Sequence, residues 1–431
     1  MSSQIKIRTF NSKDLPPDWY KRAQAIDESV EKDVKSIINQ VKENGDKSLI
    51  EFTKRFDKAE LKTENLPVKF EQIQAAYKNV TEEQVNALRL MKEKVNALEQ
   101  LTLEKLKVTT KRDGIAIYNM IVPIESVGCY VPGGQAAYPS TVIMTAVPAK
   151  TAGVPRIVVC SPPDKEGNIN SLVLVASDIC GVNEVYKVGG VQAIAALAYG
   201  TETIKPVRKI VGPGNKYVTM AKILVSKDVA IDMPAGPSEV LVLADHATNP
   251  KLVAADMISQ AEHSVDSIVG LITTSKKLAT EVVFWLQEIS ISAERREIIQ
   301  KSLQTYGFII ICNDTKEMIS LANTFASEHL EIMIQNPMEI INKITSAGLI
   351  LIGSNSPVAL SDYGSGTNHV LPTGGFGHAY SGLSALDFVR RVNVIDCSRD
   401  ELLKLNNHVK VLSEAENLPN HYKAVAARFE K

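Results

Sequence analysis

Four of the seven histidines of this chain lie among polar side chains that could bind a metal ion or move a proton. His263 follows Gln260 by one helical turn in SQAEHSVDS (259–267), so the two side chains can face one point. In SEHLEI, His329 directly follows Glu328, and these residue types form an acid/base pair when they point the same way. Both pairs are candidates for metal binding or proton transfer, although neither spacing proves such a role.

The other two histidines lie in a glycine-broken loop and in the C-terminal tail. His369 follows Asp362 by seven residues in SDYGSGTNHVLPT, and His421 follows Glu416 in ENLPNH. The four clusters supply imidazole nitrogens and carboxylate oxygens but no thiolate, which suits zinc or a similar divalent ion with one position open for substrate. Each histidine taken alone is more often structural, and glutamine is an uncommon zinc ligand, so both interpretations stay open here.

One conspicuous charge receives the simpler interpretation. Glu262 lies two positions after Gln260, and residues at this spacing do not face each other on a helix. Its side chain therefore points away from the face that Gln260 and His263 share. We predict that Glu262 is solvated and is not a ligand.

Glycine-rich turns follow several predicted strands, at YVPGG (130–134), KVGG (187–190) and VGPGN (211–215). In open α/β sheets, ligands gather at the carboxyl ends of strands, where glycine lets the backbone approach them. GPGN precedes a helical run and could present free N–H groups to an anion, although tight-turn chemistry is the commoner reason for such glycines. The GxGxxG fingerprint, the GxxxxGK phosphate loop, the GxSxG elbow and the HExxH zinc helix are absent, so a bound nucleotide would need an unusual arrangement.

The segments that must position these residues alternate between strand and helix patterns after about residue 115. Helical patterns separate apolar runs that are typical of buried strands, namely RIVVCSP, EVYKVGG, RKIVGPG, EVLVLAD, DSIVGLITTS, FIIICND and LILIG. Such alternation predicts parallel βαβ units, too many for one small sheet, so we expect two α/β domains with a seam near 234–239. Residues 16–107 are predicted to be helical, and the tail after Leu383 is predicted to be a helical, polar arm that could pack on another subunit.

Composition bounds the class of protein. A chain of 431 residues is long enough for two or more domains, and 45% apolar with 23% charged residues is typical of soluble globular proteins. The net charge of −1 creates no field that would attract nucleic acid or an acidic membrane. No secretory leader or membrane-spanning run is visible, and the five scattered cysteines fit reduced thiols. We therefore expect a soluble, cytoplasmic protein without a nucleic-acid or membrane partner.

Several long motifs of this chain resemble histidinol dehydrogenase. They are SVGCYVPGGQAAYPSTVIMTAVPAKTAGV, KVGGVQAIAALAYGTETI, KIVGPGNKYVTMAKILV, IDMPAGPSEVLVLAD, SEHLEI and SDYGSGTNHVLPT. The motifs are closely spaced over roughly residues 115–390, and the tail shares the E-x4-H pattern of the family. The helical N-terminal quarter adds little to the resemblance.

The resemblance implies a fold and an assembly. It implies two incomplete Rossmann-like α/β domains with a helical N-terminal region and an extended helical C-terminal arm, which fits the missing GxGxxG. The bounds expected from it are an N-terminal arm at 1–24, a first α/β domain with the metal and catalytic residues at 25–128 plus 238–382, an NAD-binding second α/β domain at 129–237, and a dimerisation arm at 383–431. The active sites are expected to be shared across a homodimer.

The resemblance also implies an activity and the residues that carry it. It implies a zinc-dependent enzyme that oxidises L-histidinol to L-histidine through L-histidinal with two NAD, the last step of histidine biosynthesis. One zinc per subunit is expected on Gln260, His263, Asp362 and, from the second chain, His421. The acid/base pair of the family corresponds to Glu328 and His329, and its NAD contacts to Tyr130, Gln192 and Asn215. Substrate contacts are expected at Ser238, Gln260, His263, His329, Asp362, Glu416 and His421, with His369 nearby.

The residue types suit that chemistry. His329 can take the hydroxyl proton in the first oxidation, and Glu328 can activate the water that adds to the aldehyde in the second. No cysteine nucleophile lies in the polar clusters, and Cys129 is interpreted as part of a strand core.

Two other functions stay open from the sequence. One is a paralogous zinc dehydrogenase of the same fold that acts on another amino or sulfonated alcohol, and the other is a non-catalytic metal-binding module. Glu416 and His421 favour histidinol over the first, and the intact Glu328–His329 pair argues against the second. The Gly-His-Ala at 377–379 departs from the Ala-Arg-Phe of many members and bears on substrate preference.

Overall fold

The structure is a computed structural model that describes residues 6–17, 19–20, 28–133, 137–234 and 236–430. Several sequence predictions include residues outside these ranges. They are the glycine turn at 130–134 (residue 134), the expected seam (residue 235), the N-terminal arm (residues 1–5, 18 and 21–24), the helical region 16–107 (residues 18 and 21–27), the two α/β domains (residues 25–27, 134–136 and 235) and the dimerisation arm (residue 431). In the described ranges, no helix is long and apolar enough to cross a membrane.

Strands and helices alternate through most of the chain. The strands are β1 (Arg8–Asn11), β2 (Thr109–Arg112), β3 (Ile115–Pro123), β4 (Ser126–Tyr130), β5 (Arg156–Ser161), β6 (Glu184–Lys187), β7 (Lys209–Val211), β8 (Ala230–Ile231), β9 (Glu239–Ala244), β10 (Ile268–Thr273), β11 (Phe308–Ile311), β12 (His329–Met333), β13 (Leu349–Ile352) and β14 (Val389–Cys397). The helices are α1 (Glu28–Asn44), α2 (Asp46–Phe56), α3 (Phe70–Ala76), α4 (Glu82–Glu104), α5 (Pro139–Thr151), α6 (Ser171–Ile179), α7 (Gly190–Tyr199), α8 (Lys216–Val225), α9 (Pro250–Ala261), α10 (Lys276–Ile291), α11 (Arg296–Thr305), α12 (Thr315–Phe325), α13 (Val358–Tyr363), α14 (Arg399–Ala415) and α15 (Pro419–Ala426).

The larger sheet has six parallel strands in the order β1-β11-β10-β9-β12-β13. From β9, the chain builds outward through β10 and β11 on one side and then through β12 and β13 on the other. The central strands β9 (EVLVLA) and β10 (IVGLIT) are buried along their whole length. Helices cover both faces, which is why these strands are nearly continuous apolar runs.

The smaller parallel sheet has five strands in the order β6-β5-β4-β7-β8. The strand order reverses between β4 and β7, because β5 and β6 extend one side and β7 and β8 the other. Helices α5 and α6 share a core with Val127 and Cys129 of β4, whereas α7 and α8 share a core with Tyr130. The sheet is therefore doubly wound, and the predicted α/β class is confirmed.

The chain passes from the smaller to the larger sheet between Ile231 and Glu239, where we expected a seam. The four helices of 28–104 pack on the smaller sheet: α1 contacts α7 and α8, and α4 contacts α5. Helix α1 buries Val30, Val34 and Ile38 at helical spacing to do so. This packing differs from the expected grouping of 25–128 with 238–382, and the domain bounds stay a prediction.

The tail after Leu383 is not helical throughout, and this prediction was wrong for one segment. Strand β14 pairs antiparallel with β3 along its whole length, and β2 completes a three-stranded sheet. Its sequence VRRVNVIDC is rich in β-branched residues, but its partner strand lies far earlier in the chain, so no local signal announced the pairing. Helices α14 and α15 follow as expected.

Candidate active site

The predicted acid/base pair lies at the start of β12. Helix α12 ends at Phe325, Ala326 adopts the left-handed conformation (φ 49°), and β12 begins at His329. The pair thus lies where a helix gives way to a strand. Only 7% of Glu328 and 3% of His329 is exposed, so both titratable groups need partners inside the protein.

Glu239, the first residue of the neighbouring strand β9, is that partner. Its N–H donates to Glu328 Oε2 (2.8 Å), and its own carboxylate accepts the N–H of Glu328 (3.2 Å) and that of Gly374 (2.9 Å). Its carbonyl oxygen lies 3.1 Å from Nδ1 of His329, so Nδ1 donates there. The other ring nitrogen, Nε2, has no partner in the described chain and is the atom left for chemistry.

Sequence reasoning missed Glu239. The available signal was a glutamate at the first position of an otherwise apolar, fully buried strand, because a buried carboxylate must be hydrogen-bonded. The pair and Glu239 lie at the amino ends of β12 and β9, whereas ligands of open α/β sheets usually gather at the carboxyl ends. The general rule for the sheet would therefore have placed this site at the wrong edge.

Nearby carboxylates decide the protonation of His329. Burial alone would lower the pKa of its imidazole, but the charges of Glu328 and Asp362 outweigh burial and raise this pKa to about 9. Glu328 Oε2 lies 3.5 Å from His329 Nδ1. The imidazole thus holds its proton at neutral pH unless one of these negative charges is neutralised.

Gln260 and His263 meet at the end of helix α9. Gln260 lies in its last turn, with 1% of the side chain exposed and Oε1 lacking a hydrogen-bond partner among the described residues. His263 follows the cap residue Glu262, and its N–H donates to the Gln260 carbonyl (3.3 Å). Burial lowers the pKa of His263, and the charges of His329 and Arg295 lower it further, so its imidazole is neutral. Glu262 is exposed, as predicted.

Asp362 and His369 complete this cluster. Asp362 lies on α13, and burial raises its pKa to about 6 against the opposing charge of His329. His369 Nδ1 lies 3.6 Å from Asp362 Oδ1. Burial lowers the pKa of His369 to about 4, and the charges of His329 and His263 contribute to this shift. These electrostatic contacts place both residues beside the acid/base pair, although Asp362 lies on a helix and not in the loop that the sequence suggested.

The C-terminal residues are not part of this cluster. Glu416 and His421 are exposed, at the end of α14 and on α15, and these two helices pack on each other. Within the described ranges, no three His, Cys, Asp or Glu side chains are grouped as metal ligands would be. Gln260, His263 and Asp362 carry the nitrogen and oxygen atoms of this region that could bind a metal ion, and the exposed His421 lies apart from them. Ser238 directly precedes Glu239 and is half-buried at the same edge.

A second group of polar side chains lies at the carboxyl ends of β4 and β7, where the order of the smaller sheet reverses, the position at which doubly wound sheets form a binding crevice. Tyr130 ends β4, and its hydroxyl accepts the N–H of Gly190 at the start of α7 (3.1 Å). Gln192 follows on α7 with 1% of its side chain exposed and both amide atoms unpartnered in the described structure. A buried amide without a partner is costly, so this arrangement calls for a ligand or ordered water.

The turn after β7 bears Asn215. Its Oδ1 accepts the N–H groups of Tyr217 (3.0 Å) and Val218 (3.2 Å) as the cap of α8. Two of the first N–H groups of α8 are therefore already used and cannot bind an anion, so this turn follows the commoner, structural interpretation. Asn215 keeps its amide nitrogen available beside the crevice.

Comparisons with known proteins decide the family. The family model described as histidinol dehydrogenase matches residues 20–429. The chain belongs to the histidinol dehydrogenase family. A histidinol dehydrogenase of Clostridium acetobutylicum is 47% identical over 401 residues, 92% of each chain, and one of Methanothermobacter thermautotrophicus is 43% identical over 99% of each. The crystal structure of histidinol dehydrogenase from Elizabethkingia anophelis has a TM-score of 0.92 at 36% identity and covers 98% of both chains.

This histidinol dehydrogenase family member is thus an oxidoreductase of histidine biosynthesis.

The protein holds one more acidic residue near the cluster that sequence reasoning missed. Glu331 of β12 is buried, and its Oε1 accepts the N–H of Val358, the first residue of α13 (3.0 Å). Burial raises the pKa of Glu331 far above its usual range, and the charge of Asp256 on α9 raises it further. Glu331 therefore carries a proton in the folded protein.

The Glu331→Gln variant should become more stable relative to the wild type as pH rises from about 5 to about 8. The folded protein keeps the proton of Glu331 in this range while the unfolded chain has lost it, so the wild-type free energy of unfolding falls as pH rises. Glutamine has no such proton and still accepts the Val358 N–H. Urea unfolding at several pH values measures the difference, with the exposed Glu339→Gln as control. A difference that stays constant with pH would contradict the protonated state.

Proposed function

We propose that the protein oxidises L-histidinol to L-histidine through L-histidinal, with zinc bound at the Gln260–His263–Asp362 cluster and two NAD consumed in succession. The observation that carries this proposal is the buried pair Glu328 and His329, in which Nε2 of His329 has no partner among the described residues. Oε1 of the buried Gln260 also lacks a partner there. A buried base and a buried amide oxygen that are both unpartnered favour chemistry over packing.

The cluster fits zinc in its donor chemistry. Zinc accepts imidazole nitrogen and carboxylate or amide oxygen, and catalytic sites use three protein ligands with an open position. Gln260 offers an unpartnered oxygen, His263 is held neutral as a ligand must be, and Asp362 offers a carboxylate. When bound, zinc would supply a Lewis acid that orients the imidazole and amine of the substrate. Neutralising Asp362 would also remove one of the charges that raise the pKa of His329.

His329 serves the alcohol oxidation. Its Nδ1–H is fixed on the Glu239 carbonyl, so Nε2 is the nitrogen that takes the hydroxyl proton of histidinol. Bound NAD would supply the acceptor for the hydride of the carbinol carbon. The hydrogen bond from Nδ1 limits rotation of the His329 ring. The hydrogen bonds between Glu239 and Glu328 hold the adjacent backbone in place.

Glu328 serves the aldehyde oxidation. Its carboxylate takes a proton from water as the water oxygen adds to the aldehyde carbon, which gives the hydrate that the second oxidation converts to the carboxylate. A thiol route is disfavoured by this chain. Burial raises the pKa of Cys129 and of Cys312 to about 12, so neither is a ready thiolate. The exposed Cys397 lies on β14, outside the cluster.

The crevice of the smaller sheet is the proposed NAD site. Tyr130, Gln192 and Asn215 surround the point where the strand order reverses, which is where doubly wound sheets bind dinucleotides. The unpartnered amide of Gln192 supports a ligand there. The missing GxGxxG motif would not prevent NAD binding if these side-chain amides and the tyrosine hydroxyl make the contacts that the backbone of that motif usually makes.

We also propose a homodimer in which the arm of each chain completes the site of the other. The described chain leaves large apolar side chains exposed on β14 and α14, with Ile395 67% and Val411 57% exposed, more than a lone surface tolerates. His421 and Glu416 lie on the same arm. His421 would supply the fourth zinc ligand, and Glu416 a substrate contact, to the partner.

Treatment with a chelator should lower the rate of NADH formation from L-histidinol by more than about 100-fold, and added zinc should restore this rate. The reason is that Gln260, His263 and Asp362 cannot hold the substrate without the ion. Steady-state NADH absorbance measures this. Turnover that is unchanged after zinc removal would overturn the proposed mechanism.

The same assay separates the alternatives. Faster turnover of another amino or sulfonated alcohol than of histidinol would favour a paralogous dehydrogenase, to which the departure at 377–379 would then be relevant. Zinc binding without turnover of any alcohol would favour a metal-binding module.

A further inference from the structure

A fully buried ion pair lies beneath the turn that follows β7. Lys222 Nζ contacts Asp232 Oδ1, and only 2% of the lysine side chain and 0% of the aspartate side chain is exposed. Lys222 lies in α8, and Asp232 directly follows β8. Replacing a buried ion pair by apolar residues of similar volume is often neutral or stabilising, so stability alone does not explain why this chain holds two charges here.

Both charged groups bind the backbone of one residue, Gly212. Lys222 Nζ donates to the Gly212 carbonyl (2.9 Å), and Asp232 Oδ2 accepts the Gly212 N–H (2.8 Å). The pair therefore fixes the peptide groups on both sides of the first residue of the GPGN turn (212–215). An apolar pair could fill the space but could not bind a donor and an acceptor at once.

Gly212 is also pressed against the end of β4. Its φ is +117°, and a Cβ added there would lie 2.2 Å from the carbonyl oxygen of Tyr130. The turn thus closes one wall of the crevice between β4 and β7, with Tyr130 on one side and Asn215 on the other. A shift of the turn by a few tenths of an ångström would change the spacing of these two residues.

We propose that the Lys222–Asp232 pair is a positioning device for the dinucleotide: it clamps Gly212 so that Asn215 and Tyr130 keep the spacing that NAD requires. The inference rests on the proposed NAD site and adds the residues that shape it. The pair packs in the smaller-sheet unit, whereas Glu328 and His329 lie at the start of β12, and the candidate metal donors lie on or directly after the helices α9 and α13 beside the larger sheet. Loss of the clamp must therefore affect the dinucleotide and leave histidinol binding unchanged.

The test is the double variant Lys222→Met/Asp232→Asn. The asparagine oxygen still accepts the Gly212 N–H, but the Gly212 carbonyl loses its donor, and no unpaired charge is left buried. The dissociation constant of NADH, measured by its fluorescence, and the KM for NAD should both rise by about tenfold or more, while the KM for histidinol stays within about twofold. Gly212→Ala, which displaces the turn with the ion pair intact, should weaken NADH binding in the same way.

A matched control is the ion pair between Arg156 and Glu184 at the amino ends of β5 and β6, on the same sheet but away from the crevice. Arg156→Met/Glu184→Gln should leave NADH binding unchanged, whatever its effect on thermal stability. If Lys222→Met/Asp232→Asn lowers only the melting temperature and leaves NADH affinity and the KM for NAD unchanged, or if NADH does not bind the wild type, the proposal is overturned. A wild type that binds NADH but does not oxidise histidinol would contradict the proposed function alone, and the clamp would then be judged on NADH binding.

Discussion

The His329→Ala variant should lose histidinol oxidation by about 10²–10⁴-fold in kcat while it binds NADH as the wild type does. His329 Nε2 is the unpartnered nitrogen of the pocket, and no other imidazole of the cluster can replace it, because His263 is assigned to zinc and His369 faces Asp362. The KM for histidinol should change less than kcat, since proton removal is needed in the transition state and not for binding. Stopped-flow NADH formation and a direct NADH titration separate the two effects.

The matched control is His246→Ala, which should leave kcat unchanged. His246 is exposed and follows the carboxyl end of β9, whereas the acid/base pair lies beside its amino end. A loss of kcat in both variants would point to a general effect of histidine removal. A normal kcat in His329→Ala would remove this residue from the proton transfer.

Glu328→Gln should separate the two oxidations. Glutamine still accepts the N–H of Glu239 and keeps the local structure, but it cannot take a proton from water. Oxidation of supplied L-histidinal should therefore slow by about 10²–10⁴-fold, and the NADH formed per histidinol consumed should fall from two toward one. Equal losses in both steps would contradict separate roles for Glu328 and His329.

The sequence predicted the parallel sheets well because their physical signals are local. Strands that are covered on both faces are apolar nearly throughout, so runs such as RIVVCSP and EVLVLAD can be recognised as strands from the sequence. The antiparallel pairing of β3 with β14 has no such signal. Its strands are mostly exposed or half-buried, so neither is a continuous apolar run, and they meet only in the folded chain.

The residues of the candidate site also fall into two groups, those that a local sequence pattern predicts and those that only the fold brings together. Gln260 with His263, and Glu328 with His329, are near in sequence, and simple spacing predicts each pair. Glu239 acts only because β9 and β12 are neighbours in the sheet, a fact that no local pattern contains. Lys222 and Asp232 meet for the same reason, through the packing of α8 over the end of β7. Spacing and the family resemblance could therefore nominate the candidate ligand residues, whereas the residues that hold them in place have no local signal.

Mixing inactive chains tests the proposal that the C-terminal arm of one chain completes the site of a second chain. His421→Ala chains and His263→Ala chains should each be inactive as homodimers. A heterodimer of the two contains one site with His263 from the first chain and His421 from the second, so both ligands are intact. Random mixing should then restore about a quarter of the wild-type activity, because half of the dimers are mixed and each has one intact site of two.

The control pairs His263→Ala with Asp362→Ala, whose losses both fall in the cluster formed within one chain. Each heterodimer site then lacks one ligand wherever the arm comes from, and no activity should return. Two affinity tags allow the heterodimer to be purified before assay, and its zinc content should be one ion per dimer in the first mixture. Activity that returns in both mixtures would reflect exchange of metal or protein contamination. Purified His421→Ala/His263→Ala heterodimers without activity would show that His421 does not reach the partner, and the fourth ligand would then have to come from within the chain, where His369 beside Asp362 is the nearest imidazole.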